Sequence, residues 1–106
     1  YGEIDGIPVG ASREILRDLL RGTLGFDGVV VSDYFTVATL MSYHRVADDE
    51  GEAGRLALEA GIDVELPATH CYGEALARKI AAGEVDVALV DAAVRRLLRM
   101  KLQLGL

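Results

Sequence analysis

Three consecutive valines at positions 29–31 lead directly into Ser32 and Asp33, and no other feature constrains the fold of this chain as much. β-Branched residues without polar alternation are typical of a strand that is buried on both faces, as in a parallel sheet. Ligands of α/β folds bind at the carboxyl ends of such strands, so Asp33 is predicted to face a reaction site. A carboxylate in that place can serve as a general base, a metal ligand or a nucleophile.

Helical and extended patterns alternate along the other residues, after a loop over 1–11 that glycine and proline punctuate. Ser12 is predicted to cap a first helix, which Gly22 ends. A second strand is expected over 62–66, where Pro67 stops it. Further helices are predicted over 35–43, 50–60 and 72–82 and from Asp86 to a Schellman ending at Gly105 and Leu106. Asp48 or Asp49 is predicted to cap the helix over 50–60.

Two of these helices carry apolar residues at helical spacing, which predicts the faces that they bury. In the helix over 50–60 these residues are Ala53, Leu56, Ala57 and Ala60. In the last helix they are Val90, Val94, Leu97, Leu98 and Leu102.

The order of helices and strands is an α/β alternation with only two full strands. Two strands leave open edges and apolar faces, which further strands and helices would have to cover. We therefore predict an α/β fold in which residues 1–106 are the last strands and helices of a partial (β/α)8 TIM-type barrel, a domain of about 250 residues. No complete second domain is predicted within the chain.

Charge and composition restrict the partners of the chain. Seventeen acidic and 11 basic residues give a formal net charge of −6, which disfavours nucleic acid and anionic membranes because both need a positive field. No apolar stretch approaches the roughly 18 residues of a membrane span. Cys71 is the only cysteine, so no internal disulfide can form, which fits a reducing compartment such as the cytoplasm without establishing it.

Five blocks in the sequence, taken in order, resemble glycoside hydrolase family 3. They are residues 1–6 (YGEIDG), 20–28 (LRGTLGFDG), 30–34 (VVSDY), 60–63 (AGID) and the closing 93–98 (AVRRLL) with 104–106 (LGL). The similarity covers essentially the whole chain. It implies that residues 1–106 are the C-terminal segment of the family's N-terminal barrel, with the remaining barrel and a following α/β sandwich domain as its partners.

The same resemblance implies a function and a set of site residues. Asp33 would be the catalytic nucleophile of a retaining β-glycosidase that acts on terminal β-D-glucosyl or β-D-xylosyl residues of oligosaccharides or of aryl and alkyl glycosides. Tyr1 matches a family tyrosine whose hydroxyl lies near the nucleophile, and Tyr34 is expected to contact substrate. Neither an organic cofactor nor a metal is implied.

The chain departs from the family pattern at two positions. Many members have tryptophan after the nucleophile, where this chain has Tyr34, so the sugar-stacking surface is expected to differ. Thr23 stands where glutamate is common. The Ser-Asp-Asp pattern of the family's N-acetylglucosaminidases is absent, and the ending over 63–67 resembles the β-glucoside and β-xyloside branches.

Alternative interpretations stay open at this point. Glu65, near the end of the second strand, could pair with Asp33 in a different acid–base hydrolase, although Asp63 and Glu65 could equally bind backbone or basic partners. The general acid of the family interpretation is expected beyond Leu106. A further alternative is an inactive segment that serves only in packing or interaction, and the isolated chain is expected to show no turnover.

The remaining residues that could bind a metal or act in catalysis are predicted to have other roles. His44 and His70 have no second metal ligand at a recognisable spacing, so both are predicted to be loop histidines. Cys71 stands at a helix start, where a thiolate would be favoured, but without a paired histidine it is predicted to be a small structural residue. Basic residues between Arg95 and Lys101 suit the negative end of a helix dipole or an interdomain contact.

Overall fold

Short strands and helices alternate along the computed structural model, which describes residues 1–106. The first part contains strand β1 (Glu3–Ile4), strand β2 (Ile7–Pro8), a 3-10 turn (Val9–Ala11) and a helix that we call the wide helix (Glu14–Thr23), because its hydrogen bonds span five residues. The second part contains β3 (Val31–Tyr34), α1 (Thr36–Ser42), α2 (Glu50–Ala60), β4 (Val64–Leu66), α3 (Glu74–Ala81) and α4 (Val87–Gln103).

Strands β3 and β4 are parallel neighbours, and α1 and α2 connect them. The α/β class with a parallel pair is therefore confirmed. The chain holds two separate two-stranded sheets, β1–β2 and β3–β4, so a barrel is not visible within these residues. The prediction that β3 is buried on both faces is wrong here, because β3 has one neighbour and Val31 is 49% exposed.

The predicted loop over 1–11 contains an antiparallel hairpin, which the sequence interpretation missed. Its two strands are joined by Asp5 and Gly6, whose φ angles of 52° and 78° are both positive. Two positive φ angles in succession match the type I′ turn of a two-residue hairpin, for which Asp-Gly is a preferred sequence. The Asp-Gly pair was present in the sequence. Each flanking strand has only two residues, which is too few to show an alternating pattern.

Most predicted helix ends are confirmed by their hydrogen bonds. The Asp49 side chain accepts from the backbone N–H of Glu52 at 2.8 Å and caps α2, and Asp86 caps α4 in the same way. After α4, the N–H of Leu106 donates to the Lys101 carbonyl at 2.8 Å and the N–H of Gly105 donates to the Leu102 carbonyl at 3.2 Å, the two bonds of a Schellman motif.

The wide helix ends later than predicted. The Ser12 hydroxyl does accept from the N–H of Ile15 at 3.2 Å, as expected of a capping residue. Gly22, however, lies inside the helix, and Gly25 with φ of 70° follows its end. The bond from the N–H of Leu24 to the Leu19 carbonyl at 2.8 Å extends the helix past Gly22.

Small side chains dominate the main core, where α1 and α2 pack together. The predicted inward positions Ala53, Ala57 and Ala60 are fully buried, and Leu56 packs against them. A second, smaller core contains Leu58, Leu76, Val85 and Ala93. Small residues allow close approach of the backbones, so the helices are held near one another.

The predicted apolar face of α4 is largely uncovered. Val94, Leu98 and Leu102 are exposed, and Ala93 is the one buried residue of this helix. The reason is that only the first half of α4 meets α3 and the end of α2, through Val90 and Ala93. No helix in the structure combines the length and the apolar character that crossing a bilayer requires.

Substitution of Gly54 by alanine is expected to destabilise the protein. A Cβ atom at Gly54 would stand 2.4 Å from the backbone carbonyl oxygen of Cys71, which cannot move as a flexible side chain could. We expect a loss of about 1–3 kcal/mol in the free energy of unfolding. Gly22→Ala is the matched control, because its Cβ would meet nothing closer than 3.5 Å and helix propensity favours alanine. Equal urea midpoints for the two variants of the natural protein would contradict the prediction.

Candidate active site

Asp33 lies at the carboxyl end of β3, where the pairing of β3 with β4 is irregular. Val31 pairs with Val64 and Tyr34 pairs with Leu66, so a step of three residues on β3 matches a step of two on β4. The extra residue is a β-bulge, a feature that is common beside active sites because it re-aims a side chain. Ser32 is buried in the sheet, whereas Asp33 is exposed.

Side-chain and backbone bonds hold the two strands together across this bulge. The buried Ser32 hydroxyl accepts from the N–H of Leu66 at 2.9 Å, in place of a backbone carbonyl. The N–H of Phe35 then donates to the Leu66 carbonyl at 2.9 Å. Asp33 is therefore carried by a segment that is fixed to β4 on both sides.

A cavity of about 200 Å³ opens beside Asp33, and its lining includes Tyr1, Thr36 and His44. The Asp33 carboxylate accepts from the N–H of Tyr34 at 2.7 Å. The Tyr1 hydroxyl donates to the backbone carbonyl of Tyr34 rather than to the carboxylate. Tyr1 and Asp33 thus line one cavity, and Tyr1 is tied to the backbone beside Asp33.

Tyr34 lies outside this cavity, on the surface at the end of β3. Its side chain is exposed and meets the ring of Phe35 edge-on, with centroids 6.4 Å apart and an interplanar angle of 84°. The predicted contact of Tyr34 with substrate stays a prediction.

His44 contributes to the cavity, which sequence reasoning missed. It follows α1 in a loop, as predicted, but its side chain is only 4% exposed. Its Nδ1 lies 3.3 Å from a carboxylate oxygen of Glu3, so it joins the end of α1 to the N-terminal hairpin. No spacing could have revealed this pair, because 41 residues separate the partners. No group of three or more His, Cys, Asp or Glu side chains in the structure could hold a metal ion.

Glu65 is engaged by the loop that follows β4. Its buried carboxylate accepts the backbone N–H groups of His70, Cys71 and Tyr72 at 2.9–3.0 Å. Three N–H donors suit an ionised carboxylate, which offers only acceptors. The interpretation of Glu65 as a partner of the backbone is confirmed, and this arrangement leaves it poorly suited to deliver a proton to a substrate.

Cys71 is a structural residue, as predicted. Its side chain is fully buried, and burial together with the nearby Glu65 carboxylate raises the pKa of the thiol to about 12. The thiol is therefore protonated at neutral pH and is a weak nucleophile. Burial also raises the pKa of its neighbour Tyr72, whose hydroxyl donates to the Ile62 carbonyl at 2.6 Å.

At the opposite end of the strands, Asp63 binds two arginines. Its side chain is 1% exposed and accepts from Arg21 at 2.6 Å, from Arg96 at 2.7 Å and from the N–H of Val30 at 3.0 Å. The helix-dipole or interdomain role predicted for the basic cluster is therefore wrong for Arg96, which points inward to a buried acid. Arg21 adds bonds to two backbone carbonyls and connects the wide helix to both strands.

Parallel strands joined by helices, with a carboxylate beside a cavity at one strand end, define the α/β class of folds, whose members commonly bind ligands at the carboxyl edge of the sheet. The chain belongs to glycosyl hydrolase family 3, because the model of the family's N-terminal domain matches residues 1–100.

Similar proteins agree with this membership. The chain is 40% identical over 106 residues to a lysosomal beta glucosidase of Dictyostelium discoideum, matching 99% of this chain and 13% of the relative. It is 34% identical over 113 residues to a beta-xylosidase of Formosa agariphila, matching 100% of this chain and 16% of the relative. The chain therefore spans about one-seventh of the length of these relatives.

A solved structure has the same local fold. The crystal structure of a beta-glucosidase from Listeria innocua in complex with glucose aligns with a TM-score of 0.91 and 40% identity, over 97% of this chain and 14% of that one. A mutant of the same Listeria protein has been crystallised with laminaribiose, a disaccharide.

Proposed function

We propose that this chain supplies the nucleophile of a retaining β-glycosidase, which releases terminal β-D-glucosyl or β-D-xylosyl residues through a covalent glycosyl-enzyme on Asp33. One observation carries the proposal: Asp33 lies at the carboxyl end of a parallel strand, beside a cavity that Tyr1 also lines. Membership of glycosyl hydrolase family 3 supports the class of reaction.

Asp33 suits the role of nucleophile by its position and its freedom. The carboxylate has one hydrogen bond, from the N–H of Tyr34, and is otherwise open to the cavity side of the strand. In the first step its oxygen would bond to C1 of the sugar while the bond from C1 to the leaving oxygen breaks. In the second step water would attack C1 and release Asp33. Tyr1 would hold the backbone beside the nucleophile through its bond to the Tyr34 carbonyl.

A retaining mechanism needs a second carboxyl group about 5–5.5 Å from the first, to protonate the leaving oxygen. Glu65 is occupied by three backbone N–H groups, so we propose that the acid comes from residues outside this chain. The exposed faces of β3 and α4 support the same view. We propose that these residues form the end of a (β/α)8-type barrel in a longer protein, with the remaining barrel and an α/β sandwich domain as partners.

Trapping of the covalent intermediate tests the proposal. The natural protein that contains these residues is incubated with 2-deoxy-2-fluoro-β-glucosyl fluoride and with the xylosyl analogue, and the labelled peptide is mapped by mass spectrometry. We expect one adduct per protein, on Asp33. Asp27→Asn, which removes an exposed acid six residues upstream, is the control that should label normally. An adduct on another carboxylate, or no adduct in a preparation that cleaves aryl glycosides, would refute the proposal.

A further inference from the structure

The N-terminal hairpin of β1 and β2 forms one side of the cavity beside Asp33, and it is weakly packed. Tyr1, Gly2 and Pro8 line the cavity. Every residue over 1–7 is exposed, and Pro8 is the first buried residue of the chain. A segment without buried side chains gains little stabilisation from apolar packing, so polar contacts have to fix its position.

Two side-chain hydrogen bonds join this hairpin to the rest of the site. The Tyr1 hydroxyl donates to the backbone carbonyl of Tyr34, at the end of β3. On the other side, the Nδ1 atom of His44 lies 3.3 Å from a carboxylate oxygen of Glu3. An ionised carboxylate offers only acceptors, so His44 is the donor in this pair. The two bonds hold the hairpin to β3 and to the turn after α1.

His44 is a firm attachment point because α1 is anchored in the core. Thr36, Leu40 and His44 follow one another at intervals of four residues and all line the cavity, so one side of α1 and of the turn after it faces the cavity. Leu40 is fully buried, and the N–H of His44 donates to the Thr39 carbonyl at 2.8 Å. The His44 side chain is only 4% exposed, and its one hydrogen bond is that to Glu3.

We propose that His44 is a positioning residue for substrate binding, and this inference rests on the proposed function. Through Glu3 it holds the hairpin side of the cavity, and with it Tyr1, in place beside Asp33. His44 makes no hydrogen bond to Asp33, so it acts on the reaction through the hairpin and not on the reacting atoms. Fixing this side of the cavity before the sugar arrives lowers the entropic cost of binding.

Glu3→Ala in the natural protein removes the contact from its exposed partner and leaves the buried histidine ring in place. We expect KM for an aryl β-glycoside to rise about tenfold while kcat changes less than about threefold, because the hairpin contributes to binding and not to bond breaking. His44→Ala should raise KM similarly. The double variant should be no worse than either single one, since both changes remove the same contact.

Two further variants separate positioning from a general effect on folding. His44→Asn keeps an N–H donor close to the place of Nδ1, so KM should return towards that of the natural protein. His70→Ala is the matched control, because His70 is an exposed loop histidine that does not line the cavity. It should leave both KM and kcat unchanged.

A natural KM in both Glu3→Ala and His44→Ala would overturn the positioning role. A loss confined to kcat would do the same, and so would a double variant whose loss is the product of the two single losses. Labelling of Asp33 by the fluorosugars alongside any of these results would refute the positioning role alone. Absence of any glycoside cleavage by the natural protein would refute the proposed function and the positioning role together.

Discussion

Replacement of Asp33 by asparagine is expected to lower kcat on aryl β-glycosides by about four orders of magnitude or more in the full-length protein. The amide keeps the size of the side chain and can still accept from the N–H of Tyr34, so folding should be retained. It cannot form the glycosyl ester, however, and the loss should therefore be in chemistry. Steady-state kinetics and a thermal unfolding curve on the same preparation measure both effects.

Chemical rescue with azide distinguishes a nucleophile from an acid at position 33. In Asp33→Ala, azide can enter the space of the missing carboxylate and attack C1, giving a glycosyl azide of inverted configuration. Recovery of activity with that product identifies the missing group as the nucleophile. An azide product of retained configuration would instead mean that Asp33 acts as the acid, and would refute its assignment as nucleophile.

Glu65→Gln is the informative comparison for Asp33. The alternative hydrolase, with Asp33 and Glu65 as its catalytic pair, predicts that both substitutions are equally damaging. The contacts of Glu65 predict otherwise, because it accepts three backbone N–H groups and the amide removes one of its two oxygen acceptors. We expect a less stable loop over 67–72 and a much smaller loss of kcat. Equal losses of kcat in two fully folded variants would favour the alternative.

Replacement of Asp63 by alanine is expected to cost about 3–5 kcal/mol of folding free energy. The substitution would leave the Arg21 and Arg96 guanidinium groups facing each other without their shared counter-charge. It would also remove the acceptor of the N–H of Val30, at the start of β3. The wide helix, both parallel strands and α4 would lose their common connection. Urea denaturation of the natural protein measures the loss.

Two further variants test the physical reason for this loss. Glu84→Ala removes an exposed ion pair with Lys79, at 3.4 Å, and should cost between 0 and about 1 kcal/mol. Arg96→Met added to Asp63→Ala should recover part of the stability, because it removes one of the two partly buried charges left without a counter-charge. A double variant no more stable than Asp63→Ala would show that backbone contacts, and not charge, account for the loss.

The predictions that succeeded depend on signals within a few residues. Asp48 or Asp49 was expected to cap α2 and Asp86 was expected to start α4. In the structure Asp49 and Asp86 are the caps, and each binds an N–H two or three residues ahead of it. The Gly105 and Leu106 ending likewise rests on bonds within one turn. Local geometry of this kind follows from short-range sterics and hydrogen bonding, which the sequence specifies directly. The Asp5-Gly6 hairpin had an equally local signal, and it was missed only because its strands are short.

The sequence by itself determined the parallel α/β pattern, the position of Asp33 at a strand end and the similarity to one family. Only the tertiary structure decided which carboxylates bind distant arginines or backbone N–H groups and which stay exposed. Asp63 meets Arg21 and Arg96 from positions 42 and 33 residues away, whereas Asp33 meets only its neighbour. The register bulge in β3 likewise depends on the pairing of β3 with β4. The physical reason is that such contacts join residues distant in the chain, and no local periodicity records which of them will meet.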